Sequence, residues 1–304
     1  MYGIDKKADT IRFVKAFLTN QYARIAPRSY MKYTNETGRG LQQESIKDTA
    51  EYFRLSFNEY LKYMKVSEQD AAKFLVGKKI LEYGPGDMPA VALLYYAMGA
   101  EKVYCVDRFP LIYFSEFNAA VLNELIAQMA IEYQQRAKSC FNHYGDPKSG
   151  LKKDCIEYIT NENGLSRLNN EIDIICSRAV LEHVNDLCAT FKDMDMAIKP
   201  EGVIVHKVDL KSHGMHRINP LDFLTWPDVL WHLMYSKKGV PNRWRLNQYR
   251  KVLANTKLKL ELIESIEKCN KIDIDEVRPY LAKQFVGLSD DDLSCLSFWM
   301  KLVK

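Results

Sequence analysis

The stretch Leu81-Glu82-Tyr83-Gly84-Pro85-Gly86-Asp87-Met88-Pro89 sets two glycines between a strand-like apolar run and a long uncharged segment. Glycine allows a tight turn and a close backbone approach to a ligand. Asp87 suits the cap of a following helix, and Pro89 suits its first turn. The next strand-like run, Val-Tyr-Cys-Val-Asp, ends at Asp107, 21 residues after Gly86. A carboxylate at that spacing can accept both hydroxyls of a ribose. Together these residues imply an adenosine-bearing cofactor.

Two positions narrow its identity. The dinucleotide fingerprint calls for a third glycine three residues after the second, and here Pro89 stands there. Glu82, two residues before the first glycine, would also repel a pyrophosphate. A cation with a free amino group suits it better, as in S-adenosyl-L-methionine, which becomes S-adenosyl-L-homocysteine when its methyl is transferred.

Other candidates for chemistry lie further on. His183 sits in DIICSRAVLEHV, His206 and Asp209 in GVIVHKVD, and His213 and His216 in KSHGMHRINP. His183, His213 and Asp209 are the candidates for acid–base work on an acceptor. Strand alternation puts His206 and Asp209 on opposite faces. An H-x-x-H pair with no acidic partner nearby is weak for a metal, so none is expected. PNRWRLNQYRK carries Arg243, Trp244 and Arg245, which read either as a clamp for an anionic substrate or as a solvated helix start. RIAPRSYMKYTN offers Arg28 and Tyr30 for the same pocket, beside packing explanations.

These residues need a scaffold that brings strand ends together. KKILEYG, KVYCVD, IDIICS and GVIVHKVD read as buried parallel strands, with a weaker one at 140–145. Helical stretches fall at 88–99, 112–138, 151–161 and 182–198, and 258–266 and 293–304 read as two final strands. Alternation of this kind predicts an α/β doubly wound, Rossmann-like sheet. Residues 1–75 read as a mostly helical N-terminal cap, and 211–256 as an inserted cap within a domain spanning 76–304.

The ordered set Glu82-Tyr83-Gly84-Pro85-Gly86, Asp107, Leu181-Glu182-His183-Val184 and IKPEGVIVHKVD resembles the motifs of class I S-adenosylmethionine-dependent methyltransferases. The resemblance covers about 79–210 and 258–304 and implies a seven-stranded sheet with a reversed final hairpin. It implies that Glu82, Tyr83, Gly84, Gly86 and Asp107 line the cofactor, with Arg108, Asp146, Ser177 and Arg178 nearby. One departure is Glu201, where the family places a glycine in the turn before the fifth strand. The resemblance also extends to bacterial enzymes of surface-polysaccharide and sugar-nucleotide pathways. It thus implies an O-nucleophile on a sugar-containing or anionic small molecule as acceptor.

Composition sets the outer limits. The 304 residues carry 47% hydrophobic and 27% charged residues and a net charge of +4, ordinary for a globular protein and too weakly basic for a nucleic-acid partner. The longest apolar run, Met88 to Ala100, is too short to span a bilayer. Seven cysteines without a C-x-x-C pair read as reduced thiols, and the charged N-terminus has no signal-peptide pattern, so a cytoplasmic location is expected. Two other readings stay open: a non-catalytic cofactor-binding scaffold and a nicotinamide-dependent oxidoreductase.

Overall fold

The computed structural model describes residues 2–3, 5–26, 29–30, 33 and 45–304. Among the described residues, the helices α1 (Lys6–Ile25), α2 (Ile46–Met64) and α3 (Ala71–Leu75) precede the sheet. Asp5 caps α1 by accepting the N–H groups of Lys7 and Ala8, and Ser45 caps α2 through the N–H of Asp48. Then follow β1 (Lys79–Tyr83), α4 (Ala90–Ala97), β2 (Lys102–Asp107), α5 (Glu116–Ala127), α6 (Ile131–Ser139), β3 (Phe141–His143), β4 (Asp146–Leu151) and β5 (Ile156–Thr160). The second half runs β6 (Ile172–Arg178), α7 (Leu187–Ala197), β7 (Ile198–Asp209), α8 (Asp228–Tyr235), α9 (Leu246–Leu253), β8 (Lys259–Lys268), α10 (Lys271–Val277), α11 (Asp290–Ser294) and β9 (Cys295–Val303).

Seven strands form one sheet in the order β5-β2-β1-β6-β7-β9-β8. The first five pair in parallel, while β9 runs antiparallel to both β7 and β8. This is the class I methyltransferase arrangement of a Rossmann-like sheet. Strand order reverses at β1, which lies between β2 and β6, so the carboxyl ends of these strands form the crevice where open α/β sheets bind ligands.

Alternation along the strands builds two cores. Ile80, Cys105, Cys176 and Val205 face α2 and α4 and join Phe53, Phe57, Leu93 and Trp299. Leu81, Tyr83, Val106 and Ile175 face the other way and join Phe191 and Met194 of α7 and Tyr249 of α9. A third cluster unites Ala16 of α1 with Phe223, Trp226, Trp231, Val277 and Phe285. Thus α1 packs with the 221–235 segment, whereas α2 belongs to the sheet.

Two local expectations fail. Residues 151–161, expected as helix, contain β5, and the segment expected as the third sheet strand forms a separate two-stranded hairpin, β3–β4. Ile156-Glu157-Tyr158-Ile159-Thr160 is an edge strand with only Ile156 fully buried, so it lacks the continuous apolar run of the inner strands. Among the described residues, no helix is long and apolar enough to cross a membrane.

Candidate functional site

The chain leaves β1 through Gly84 at φ 65° and Gly86 at φ 74°, both in the left-handed region that glycine tolerates. A Cβ on Gly84 would stand 2.3 Å from Val180 Cγ2 in the loop after β6. The two strand-end loops approach too closely there for any side chain. The N–H of Gly84 donates to the carbonyl of Val106 at 2.8 Å, fixing the turn against β2.

Of the flanking carboxylates, Glu82 is buried and Asp107 half-buried. Glu82 is 6% exposed and points toward α4, with Cys105 Sγ 3.9 Å away. Burial pushes its pKa up to about 8, opposed by the Ala92 N–H and the Cys105 thiol. Asp107 closes β2 and accepts from the Phe109 N–H at 3.1 Å through Oδ1. Burial raises it to about 6, opposed by the N–H groups of Phe109 and Arg108. Arg108 lies over the Phe109 ring at 4.5 Å, and its buried Nη1 has no hydrogen-bond partner among the described residues. The loop after β5 completes this edge. The N–H of Asn161 donates to the Asp107 carbonyl at 3.2 Å, and Gly164 lies against the Arg108 backbone.

Other candidates take different places. Asp146 opens β4 of the hairpin and is exposed, so the reading that set it at the end of the third sheet strand is corrected; residues 161–165 hold that position. The Tyr83 side chain turns to the α7 face, where its hydroxyl donates to Asp193 at 2.5 Å, leaving only its backbone at the turn. Ser177 is fully buried with its Oγ 2.7 Å from His206 Nδ1, and burial pushes the His206 pKa down to about 3. Arg178 pairs with Glu59 of α2, and Lys207 Nζ lies 3.4 Å from the same carboxylate, so two cations share one anion beside the strand ends.

A second group gathers between the turn at 181–184 and the end of β7. Glu182 is 1% exposed, and neither carboxylate oxygen has a hydrogen-bond partner among the described residues. The backbone N–H groups of Glu182 and Asp209 face it without forming a well-shaped bond, and burial holds its pKa well above the ordinary carboxylate value. His183 Nε2 lies 4.0 Å from Glu182 Oε1 and keeps 29% of its side-chain surface open. Its ring meets that of His213 edge to face at 5.1 Å between centroids. Burial, then the neighbouring His213 and Arg108, lowers His183 to about 4, so the ring is neutral at pH 7. His213 Nε2 in turn stands 3.9 Å from Asp209 Oδ1. His216 takes no part and bonds Ser212 at 2.5 Å.

The inserted segment 236–245 docks on this turn. Asn242 donates its side-chain amide to the carbonyls of Leu181 (2.9 Å) and Val184 (3.2 Å), and its N–H to that of Glu182 (2.6 Å). Gly239 approaches Arg108 and Phe109. Nothing in the sequence marks Asn242 or Glu182 for these roles, because their partners are remote along the chain.

The arginine clamp is corrected. Arg245 is fully buried and donates to the carbonyls of Leu210, Asp292, Leu293 and Cys295. Arg243 is 3% exposed, donates to the Trp226 carbonyl at 2.6 Å and pairs with Asp228 at 2.9 Å. Both tie the insert together, and their donors are turned away from any substrate. Trp244 packs against the α7-side core. Tyr30 packs edge to face on Tyr22 of α1, and Arg28 lies outside the described residues. A groove of about 750 Å³ lined by Thr225, Pro227, Asp228, Tyr280 and Lys283 lies elsewhere and includes no strand-end residue.

Residues 57–263, more than half of the chain, match a protein-family model described as a methyltransferase domain. The chain belongs to this methyltransferase family. The nicotinamide alternative therefore falls, and the methyl donor of the family is S-adenosylmethionine. No curated protein sequence matches the methyltransferase. Similar solved structures include an S-adenosylmethionine dependent methyltransferase from Mesorhizobium loti, at 18% identity and TM-score 0.43, covering 78% of this chain and 97% of that one. A putative sarcosine dimethylglycine methyltransferase from Galdieria sulphuraria is 16% identical at TM-score 0.44, covering 82% and 86%. Geranyl diphosphate C-methyltransferase from Streptomyces coelicolor is 13% identical at TM-score 0.40, covering 78% and 79%. Nothing about this enzyme's acceptor follows from them.

Proposed function

We propose that the enzyme methylates an oxygen on a sugar-containing or anionic small molecule, such as an intermediate of surface-polysaccharide synthesis, held between the strand ends and the 236–245 segment. The observation that carries this reading is the pairing of a cofactor edge with a titratable cluster under one docked cap. The residues present fit S-adenosylmethionine. The Gly84 turn offers bare backbone, Asp107 Oδ2 is left for a ribose hydroxyl, the buried Glu82 awaits a cation, and residues 161–165 flank the adenine position. When bound, that cofactor supplies an electrophilic methyl on a sulfonium, with sulfur as the leaving group.

The chain's own residues then have three tasks. Arg178 and Lys207 both pair with Glu59, two cations on one carboxylate, which suits them to a phosphate or carboxylate of the acceptor. His183, His213 and Asp209 lie where an acceptor hydroxyl would give up its proton. The cap excludes water and aligns the acceptor oxygen, the main contribution such a transfer needs from a protein. α1 and the 211–256 insert form this cap in our reading, and the enzyme acts in the cytoplasm. The test is a screen of acceptors, beginning with sugar nucleotides and phosphorylated sugars, by release of S-adenosylhomocysteine. Turnover only with uncharged, sugar-free acceptors would overturn the acceptor assignment. Cofactor binding without turnover on any acceptor class would favour the scaffold reading.

A further inference from the structure

The pair His213-x-x-His216 is by itself a weak metal signal in the sequence. In the structure His213 joins a different set. Glu182, His183 and His213 each present one ligand atom, and the three lie within 4.8 Å of one another. A cation about 2 Å from each donor requires separations of roughly 3 to 4 Å, so small side-chain rotations suffice. Glu182 decides the matter. A carboxylate 1% exposed, faced only by the poorly aligned N–H groups of Glu182 and Asp209 among the described residues, is costly to keep in a fold unless something occupies it. His183 Nδ1 is likewise buried without a partner there.

We infer that Glu182, His183 and His213 form a binding site for one divalent transition cation of the zinc or cobalt kind. One carboxylate and two imidazoles are the donor set of open, reactive sites, which keep a position for an external oxygen. Sulfur plays no part, since the cysteines lie elsewhere and are free. Asp209, 3.9 Å from His213, stays outside the set as the nearest carboxylate. The role assigned to the cation rests on the methyltransferase reading above. With the cation bound, His183 and His213 would serve as its ligands, the cation would lower the pKa of an acceptor hydroxyl at the open position, and Asp209 alone of that group would be left to take the proton. Binding of the cation is independent of that role.

The full-length protein, stripped with a chelator, is titrated with cobalt chloride and zinc chloride by calorimetry and visible absorption. One saturable cobalt per chain is expected, with ligand-field bands and no thiolate charge transfer. His213→Ala, on a surface loop, is expected to weaken binding at least about 10-fold. Glu182→Gln is expected to do the same, with folding followed by circular dichroism, while His216→Ala leaves binding unchanged. Absence of saturable binding, equal binding by His213→Ala and His216→Ala, or thiolate bands in the cobalt spectrum would each overturn the site. S-adenosylmethionine affinity is measured in the same samples. Its loss alone, with cobalt binding intact, would sink the methyltransferase reading and leave the cation site standing.

Discussion

Glu82 and Asp107 are carboxylates that the fold places where their charged forms are disfavoured, at pKa values of about 8 and about 6. Both folded values lie above the ordinary ones of 4.5 and 3.8, so the folded ligand-free protein binds more protons than the unfolded chain between those limits. Stability from these groups is therefore fully present below about pH 4 and is lost as pH rises through 6 and 8. The loss attributable to Glu82 approaches about 1.4 kcal/mol per pH unit inside its window. A cationic cofactor with ribose hydroxyls reverses the balance, since it favours both carboxylates charged. Affinity for S-adenosylmethionine should thus rise between pH 5 and 8. In Asp107→Asn the part of the rise near pH 6 should vanish, and Glu82→Gln should flatten the stability profile of the free protein. Titration calorimetry and denaturant melts across that range check both; a flat wild-type profile would mean these carboxylates do not meet the cofactor. Gly84→Ala adds a methyl 2.3 Å from Val180 at a left-handed φ, so cofactor binding should be lost with a stability cost of at least about 2 kcal/mol.

At the scale of elements, Asn242 ties the 236–245 segment to the turn after β6. Asn242 satisfies two carbonyls of the 181–184 turn and, through its backbone, a third. Asn242→Ala removes the two amide bonds and should loosen the cap more than the sheet. The expected outcome is a rise in the acceptor KM of roughly 10-fold, for about 1.5 kcal/mol of lost hydrogen bonding, with little change in S-adenosylmethionine affinity. Steady-state kinetics with each substrate varied in turn separates the two. The turn into β7 offers a contrasting case. Glu201 occupies φ 64°, a left-handed conformation that glycine adopts at less cost, so Glu201→Gly should stabilise the protein by about 0.5 kcal/mol, read as a higher melting temperature.

For the molecule as a whole, Arg245 joins parts remote in sequence. Its guanidinium donates to carbonyls of Leu210 after β7, of Asp292 and Leu293 in α11, and of Cys295 at the start of β9. Arg245→Leu should destabilise the chain by about 3 kcal/mol or more, because it leaves buried carbonyls unpaired. A clamp for substrate would instead show an intact melting temperature and a raised KM, so thermal unfolding and kinetics together distinguish the two roles. Binding of S-adenosylmethionine should stabilise the native state by about 2.7 kcal/mol at a hundredfold excess over its Kd, with no shift from NADH.

Local chemistry makes much of this molecule legible in its sequence. The Gly84–Gly86 turn, Asp107 one strand later and the acidic Glu82 follow from backbone freedom and charge, which act over a few residues. The inner strands β1, β2, β6 and β7 show as continuous apolar runs because they are covered on both faces. β5 does not, being an edge strand half open to solvent, and with it goes the assignment of Asp146. The arginines read as a clamp because their type and spacing cannot reveal which carbonyls surround them. The cluster of Glu182, His183 and His213 depends on β6, β7 and the insert meeting at one point. Sequence alone determined the fold and the methyl donor, since both rest on short-range patterns. Which histidines meet, which arginines are spent on structure and where a buried carboxylate goes unpaired were decided only by tertiary packing, which brings together residues tens of positions apart.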